Sequence, residues 1–268
     1  MSDTQHGPRP GHPFLGLPSP LAFAHRGGTA GGLENTHAAF ARAVELGYRH
    51  LETDVHATAD GRLVAFHDAT LDRVTDGGGT IADLPWDEVR RARVAGSQPV
   101  PLFEELLRAF PGARWNIDVK AEPALAPLLD VLAAHDAWDR VCVGSFDESR
   151  AARARALAGG RLATSLGTSG VLALRLRAWG LPVRPRASAV CVQVPEQRYG
   201  VRVVDRSFVR AAHALGLQVH VWTVNEPSRM AALLDLGVDG LITDDLEALR
   251  EVLASRGTWP PDRRTASD

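Results

Sequence analysis

Short runs of β-type residues alternate with amphipathic stretches of helical period along most of this chain. The runs at 21–24 (LAFA), 50–55 (HLETDV), 113–119 (ARWNIDV), 140–143 (RVCV), 161–165 (RLATS), 189–194 (AVCVQV), 218–223 (QVHVWT) and 240–243 (GLIT) read as strands. Segments of helical character follow them at 36–46, 102–110, 123–135, 147–157, 170–179, 205–215, 226–236 and 246–255. In 205–215, Phe208, Val209, Ala212 and Leu215 fall on one helical stripe, with Asp205 as the expected N-cap and Gly216 as the stop. Eight strands alternating with eight helices predict a (β/α)8 TIM barrel, with a doubly wound open sheet as the competing arrangement.

One stretch breaks the alternation. Residues 62–101 open with a short strand, pass a glycine triplet and contain one short amphipathic helix near 86–93. As an insertion after the second barrel strand, they would lie over the C-terminal rim, where this fold builds its sites. The barrel is expected over 21–256. Residues 1–20, rich in proline and glycine, predict a flexible arm, and 257–268 a polar tail.

Charge narrows the function classes. Of 268 residues, 30 are Lys or Arg and 32 are Asp or Glu, giving a formal charge of −2, without the basic excess that phosphate neutralisation on nucleic acids requires. No apolar run approaches a membrane span, and the first 20 residues lack the order of a secretory signal. Cys142 and Cys191 sit inside apolar runs and read as buried reduced thiols. A soluble, cytoplasmic protein is expected, without stable membrane insertion.

The chemistry gathers at strand ends. Glu52 and Asp54 are two residues apart, so on a strand both carboxylates point to one side. Burying the two together is costly unless a cation joins them; an exposed edge strand or a paired structural network is the alternative. On the next barrel strand Asn116, Asp118 and Lys120 share a side. Three carboxylates suit a hard divalent cation, Mg2+ or Ca2+, better than zinc. His25 and His67 each end an apolar run where the chain turns into a loop, and two imidazoles beside those carboxylates offer an acid–base pair for P–O cleavage. Arg26 offers a planar fork for phosphate oxygens, or a surface salt bridge.

The ordered set HRGG (25–28), ENT (34–36), ETDVHATADG (52–61), FHD (66–68), NIDVK (116–120), SF (145–146), VWTVN (221–225) and GVDGLITD (237–244) resembles the glycerophosphodiester phosphodiesterase family from about residue 22 to 255. The resemblance implies a TIM barrel with a small insertion after the second strand. It implies His25 and His67 as the acid–base pair, Glu52, Asp54 and Asp118 as metal ligands, and Arg26 and Lys120 as phosphate contacts. Asp118 departs from the glutamate usual at that position, which leaves Mg2+ or Ca2+ open, and Leu33 replaces the usual proline before ENT.

Trp222 is expected as an apolar wall of the substrate site or as core packing, and Gln193 as a residue facing the site. Ser145 is a weaker candidate, and Asp244 reads as a helix cap. The activity so implied is hydrolysis of a small glycerophosphodiester to glycerol phosphate and an alcohol, in a protein of open oligomeric state. The competing readings are a lysophospholipase D, whose Leu- and Trp-rich segment 170–183 would meet lipid or pack in the core, a non-catalytic phosphodiester binder, and a metal-dependent sugar isomerase.

Overall fold

The computed structural model describes residues 11–183, 185 and 188–259. Eight parallel strands form the barrel wall: β1 (Leu21–Ala24), β2 (His50–Ala57), β3 (Arg114–Val119), β4 (Val141–Gly144), β5 (Ala163–Thr164), β6 (Cys191–Pro195), β7 (Gln218–Trp222) and β8 (Gly240–Thr243). Each pairs with the next from β1 to β5 and from β6 to β8, and β8 pairs back onto β1. Between β5 and β6 a single parallel bridge, Ser165 to Cys191, completes the circle. The wall thus closes, as the alternation of elements predicts, and the open-sheet alternative falls.

The helices outside the insertion, which itself holds a short one at Trp86–Val89, are α1 (His37–Glu45), α2 (Phe103–Ala109), α3 (Leu125–Ala134), α4 (Glu148–Leu157), α5 (Thr168–Ala178), α6 (Arg206–His213), α7 (Pro227–Leu236) and α8 (Leu246–Ser255). They bury their apolar stripes against the outer wall around Trp115, Phe40 and Phe103. Helix α6 is capped as its sequence predicts, with the Asp205 carboxylate accepting from the Phe208 amide at 2.8 Å. Segment 170–183 divides its roles: Leu174 and Arg175 are buried, whereas Leu172 and Trp179 are each 59% exposed, so core packing accounts for only part of it.

Residues 62–101 carry a separate small core around Val64, Phe66, Leu71, Ile81 and Val89. Leu63–Ala65 runs antiparallel to the end of β2, which anchors the insertion at the rim. The flexible arm expected over 1–20 is corrected where the structure describes it. Pro13–Leu15 form a 3-10 turn, and Phe14 is 0% exposed, closing the barrel floor against Phe23 and His50. A closed wall leaves an apolar hole at its base, and an aromatic ring fills it better than solvent. Residues 1–10 and 260–268, with Arg184, Arg186 and Ala187, lie outside the described residues.

Candidate active site

Register decides which side chains meet. In the β2–β3 ladder Glu52 faces Asn116 and Asp54 faces Asp118, so three carboxylates come from neighbouring rungs of two adjacent strands. Glu52 is 6% exposed and Asp54 2%. Burial, reinforced by the Asp54 charge, pushes the Glu52 carboxyl up to about 7. Burial also raises that of Asp118, against the pull of Lys120. The Lys120 ammonium lies 2.8 Å from both Asp54 Oδ1 and Asp118 Oδ2, and these two anions raise its pKa against the cost of burial.

The turn after β1 supplies the next pair of groups. Gly27 and Gly28 have φ of 79° and 90°, and a Cβ on Gly27 would stand 2.9 Å from the Phe40 amide nitrogen. Arg26 itself is held at φ 53°, a left-handed conformation that a non-glycine residue adopts at a cost of order 1 kcal/mol. This bend aims the Arg26 amide at Glu52 Oε2, 3.0 Å away. The Arg26 guanidinium reaches Glu34 at 3.0 Å and lies 3.3 Å from Asp54, while its buried Nε makes no hydrogen bond. Asn35 steadies Asp54 from the same loop at 3.3 Å.

Each predicted imidazole has a carboxylate on Nδ1. His25 Nδ1 is 2.7 Å from Asp244, which in turn accepts from the Asn225 amide at 3.0 Å. Burial opposes charge on His25, but Glu52, 3.9 Å from its Nε2, and Asp244 outweigh it and raise the pKa. His67, delivered by the insertion, has Nδ1 2.5 Å from Asp68. Arg73, hydrogen-bonded to Asp68 and ahead of His67 in effect, holds that carboxyl at about 2. A carboxylate on Nδ1 fixes the ring and favours a proton there, a tautomer in which Nε2 is the nitrogen with a free lone pair.

A cavity of about 260 Å3 opens at the C-terminal end of the barrel. It is lined by the nine residues expected from the sequence as catalytic, metal or substrate groups: His25, Arg26, Glu52, Asp54, His67, Asp118, Lys120, Gln193 and Trp222. Gln193 donates to Asn116 Oδ1 at 2.9 Å, and Trp222 stands edge-on to Phe146 with ring centres 6.0 Å apart. Ser145 also lines the cavity, its Oγ accepting from the Asp147 amide and from Arg150. Among the described residues no three carboxylate, imidazole or thiolate groups lie at the mutual spacing of a metal-ligand set. The Lys120 ammonium sits between two of the carboxylates.

One expectation is corrected. Asp244 is not the cap of the last helix: Asp245 caps α8 through the Ala248 amide at 3.0 Å, and Asp244 turns inward to His25. Asp68, Asn35, Asn225 and Arg73 were also missed. Asp68 was visible as the neighbour of His67, but the others come from loops that only the closed barrel brings together. The two cysteines are free and buried, Sγ atoms 3.9 Å apart near the barrel floor.

Comparison with known proteins gives a consistent result. The sequence model of the glycerophosphoryl diester phosphodiesterase family matches residues 25–248. A Mycobacterium tuberculosis protein named probable glycerophosphodiester phosphodiesterase 2 is 43% identical over 97% of this chain and 99% of its own length. A glycerophosphodiester phosphodiesterase of Caldanaerobacter subterraneus is 30% identical over 88% of this chain and 99% of its own. Among solved structures, an Oleispira antarctica phosphodiesterase in complex with the product sn-glycerol-3-phosphate superposes with a TM-score of 0.74. It is 23% identical and covers 88% of this chain and 97% of that one, a likeness that speaks for the fold. With the family match spanning nearly the whole barrel and the mycobacterial relative aligned almost end to end, the chain belongs to the glycerophosphoryl diester phosphodiesterase family, enzymes that hydrolyse phosphoric diesters.

Proposed function

We propose that this protein hydrolyses glycerophosphodiesters to glycerol phosphate and an alcohol, with His25 and His67 as the acid–base pair and a divalent cation held by Glu52, Asp54 and Asp118. The observation that carries this reading is two imidazoles, each backed by a carboxylate, at one cavity with three carboxylates and two cations. In this reading 21–256 is the catalytic unit, and the insertion 62–101 serves to deliver His67.

The donor set suits a hard cation. All three groups are oxygen donors, as Mg2+ and Ca2+ prefer. Glu52 is buried beside an imidazole, and its carboxyl resists ionisation up to about 7, so the shortage of positive charge lies at Glu52, while Lys120 already stands between Asp54 and Asp118. When bound, such an ion would supply Lewis-acid stabilisation of the phosphoryl oxygens.

The chain's own groups do the rest. Lys120 and Arg26 bind the non-bridging oxygens and orient phosphorus between the imidazoles. Nε2 of one imidazole takes the proton of the attacking oxygen, from water or from the neighbouring glycerol hydroxyl. Nε2–H of the other returns a proton to the departing alkoxide. Asp244 and Asp68 hold the rings in register for that exchange. The free buried thiols accord with the reducing cytoplasm.

The test measures glycerol phosphate release from glycerophosphocholine and glycerophosphoethanolamine after chelation, then with Mg2+ or Ca2+ restored. Turnover that returns with a cation and is lost in His67→Ala is expected; turnover untouched by chelation would remove the cation from the reading. A second reading is favoured by the exposure of Leu172 and Trp179 and by a lysophospholipase D of Rattus norvegicus that is 28% identical over 86% of this chain. Faster turnover of micellar lysolipid than of glycerophosphocholine would establish it.

A further inference from the structure

The cavity has two unlike ends. One end holds every carboxylate, both imidazoles and the cations already described. The other is walled by Phe146, Leu166, Val171 and Trp222 beside the hydroxyls of Ser165 and Thr168, and among the described residues that line it there Arg198 alone is charged. That residue ends Gln197–Arg198, a two-residue strand paired antiparallel with Val201–Arg202, which overhangs the cavity mouth.

Arg198 is held by stacking. Its guanidinium carbon lies 6.0 Å from the Phe146 ring centre and 5.1 Å from that of Tyr199. Among the described residues it makes no ion pair or hydrogen bond, so the N–H edge of its fork is left unengaged. The carboxylates that flank Arg198 and its Phe146 partner in the chain are already occupied. Glu196 pairs with Arg229, Glu148 accepts from the Gly167 amide at 2.8 Å, and Asp147 caps α4 through Ser149. A cation stacked on aromatic faces with its donors directed outward is a receptor for an anionic group, and it repels an ammonium. Glycerol carries no charge for this group to meet, so the departing alcohol is the moiety whose charge Arg198 reads.

We propose that Arg198 selects the leaving alcohol by charge, so that the preferred diesters carry an anionic group, carboxylate or phosphate, on the alcohol side rather than a choline- or ethanolamine-type cation. The inference rests on the diesterase reading above and adds to it the class of leaving group.

Three substrates sharing one phosphodiester test it: glycerophosphoethanolamine and its N-acetyl and N-succinyl derivatives, with cationic, neutral and anionic ends. The expected order of kcat/KM in the unmodified enzyme is succinyl, acetyl, free amine, with about tenfold between the extremes. Added salt should narrow that ratio. Arg198→Ala should bring it to within about twofold, and Arg198→Glu should invert it. Because the ratio is taken within each variant, losses common to all three substrates cancel. N-succinylethanolamine as a competitive inhibitor gives a second readout, its inhibition weakening in Arg198→Glu. An Arg198→Glu enzyme that keeps the original ratio, or an unmodified enzyme that prefers the free amine, overturns the inference and leaves the diesterase reading standing. No turnover of any of the three sinks both.

Discussion

Glu52→Gln separates what the site costs the fold from what it gives to binding. In the metal-free protein the Glu52 carboxyl titrates at about 7 against 4.5 for an ordinary glutamate, first because of burial and then because of Asp54. A carboxyl whose folded pKa is raised contributes fully below the unfolded value of 4.5, and its contribution is lost as pH rises through 7. The shift corresponds to a loss of at most about 3 kcal/mol between pH 4.5 and pH 8. Glutamine has the same shape and never ionises, so the substitution removes this loss while keeping the acceptor that faces the Arg26 amide.

Urea denaturation of both proteins after chelation, at pH 5 and pH 8, measures the difference. The variant should match the parent at pH 5 and exceed it by about 2–3 kcal/mol at pH 8. Restoring Mg2+ or Ca2+ should erase most of that lead at pH 8. An ion at a hundred times its dissociation constant adds about 2.7 kcal/mol to the parent and far less to the variant. A variant equally destabilised at both pH values would refute the reasoning, because it would show Glu52 ionised and satisfied by protein groups alone.

Other outcomes follow from the same geometry. Asp244→Asn removes a group that raises the His25 pKa, so the limb of the kcat/KM profile that His25 sets should move to lower pH, with kcat down about a hundredfold; an unmoved profile would deny Asp244 its part. Phe14→Ala should cost about 3–5 kcal/mol in urea denaturation, since the ring is fully buried at the barrel floor; a cost under 1 kcal/mol would mean that the plug is dispensable. Gly27→Ala forces a Cβ against Phe40 and Ala39 at φ 79°, and circular dichroism melts should show a clear drop in Tm, with loss of turnover as the Arg26 amide shifts from Glu52.

Much of the fold was legible in the chain itself. Strand and helix periods differ, so all eight wall strands appear near their sequence positions, and the interruption at 62–101 marks the insertion. The arm was misread at Phe14 because proline- and glycine-rich sequence looks the same whether it trails in solvent or seals a barrel floor. The Leu- and Trp-rich segment at 170–183 was ambiguous because its composition does not say which residues face the wall. Asp244 was mistaken for a cap because it stands beside Asp245, and either carboxylate satisfies the local signal for a helix start.

By itself the sequence determined that Glu52 and Asp54 share a face, that Asn116, Asp118 and Lys120 do likewise, and that His25 and His67 end strands. These are consequences of the two-residue strand period, which operates within one segment. Only the tertiary structure decided that Asp54 lies opposite Asp118, that Asp244 meets His25 across 219 positions of chain, and that Arg198 overhangs the apolar end of the cavity. Those relations depend on register between strands and on closure of the wall. Both are set by the packing of the whole barrel, which no local pattern encodes.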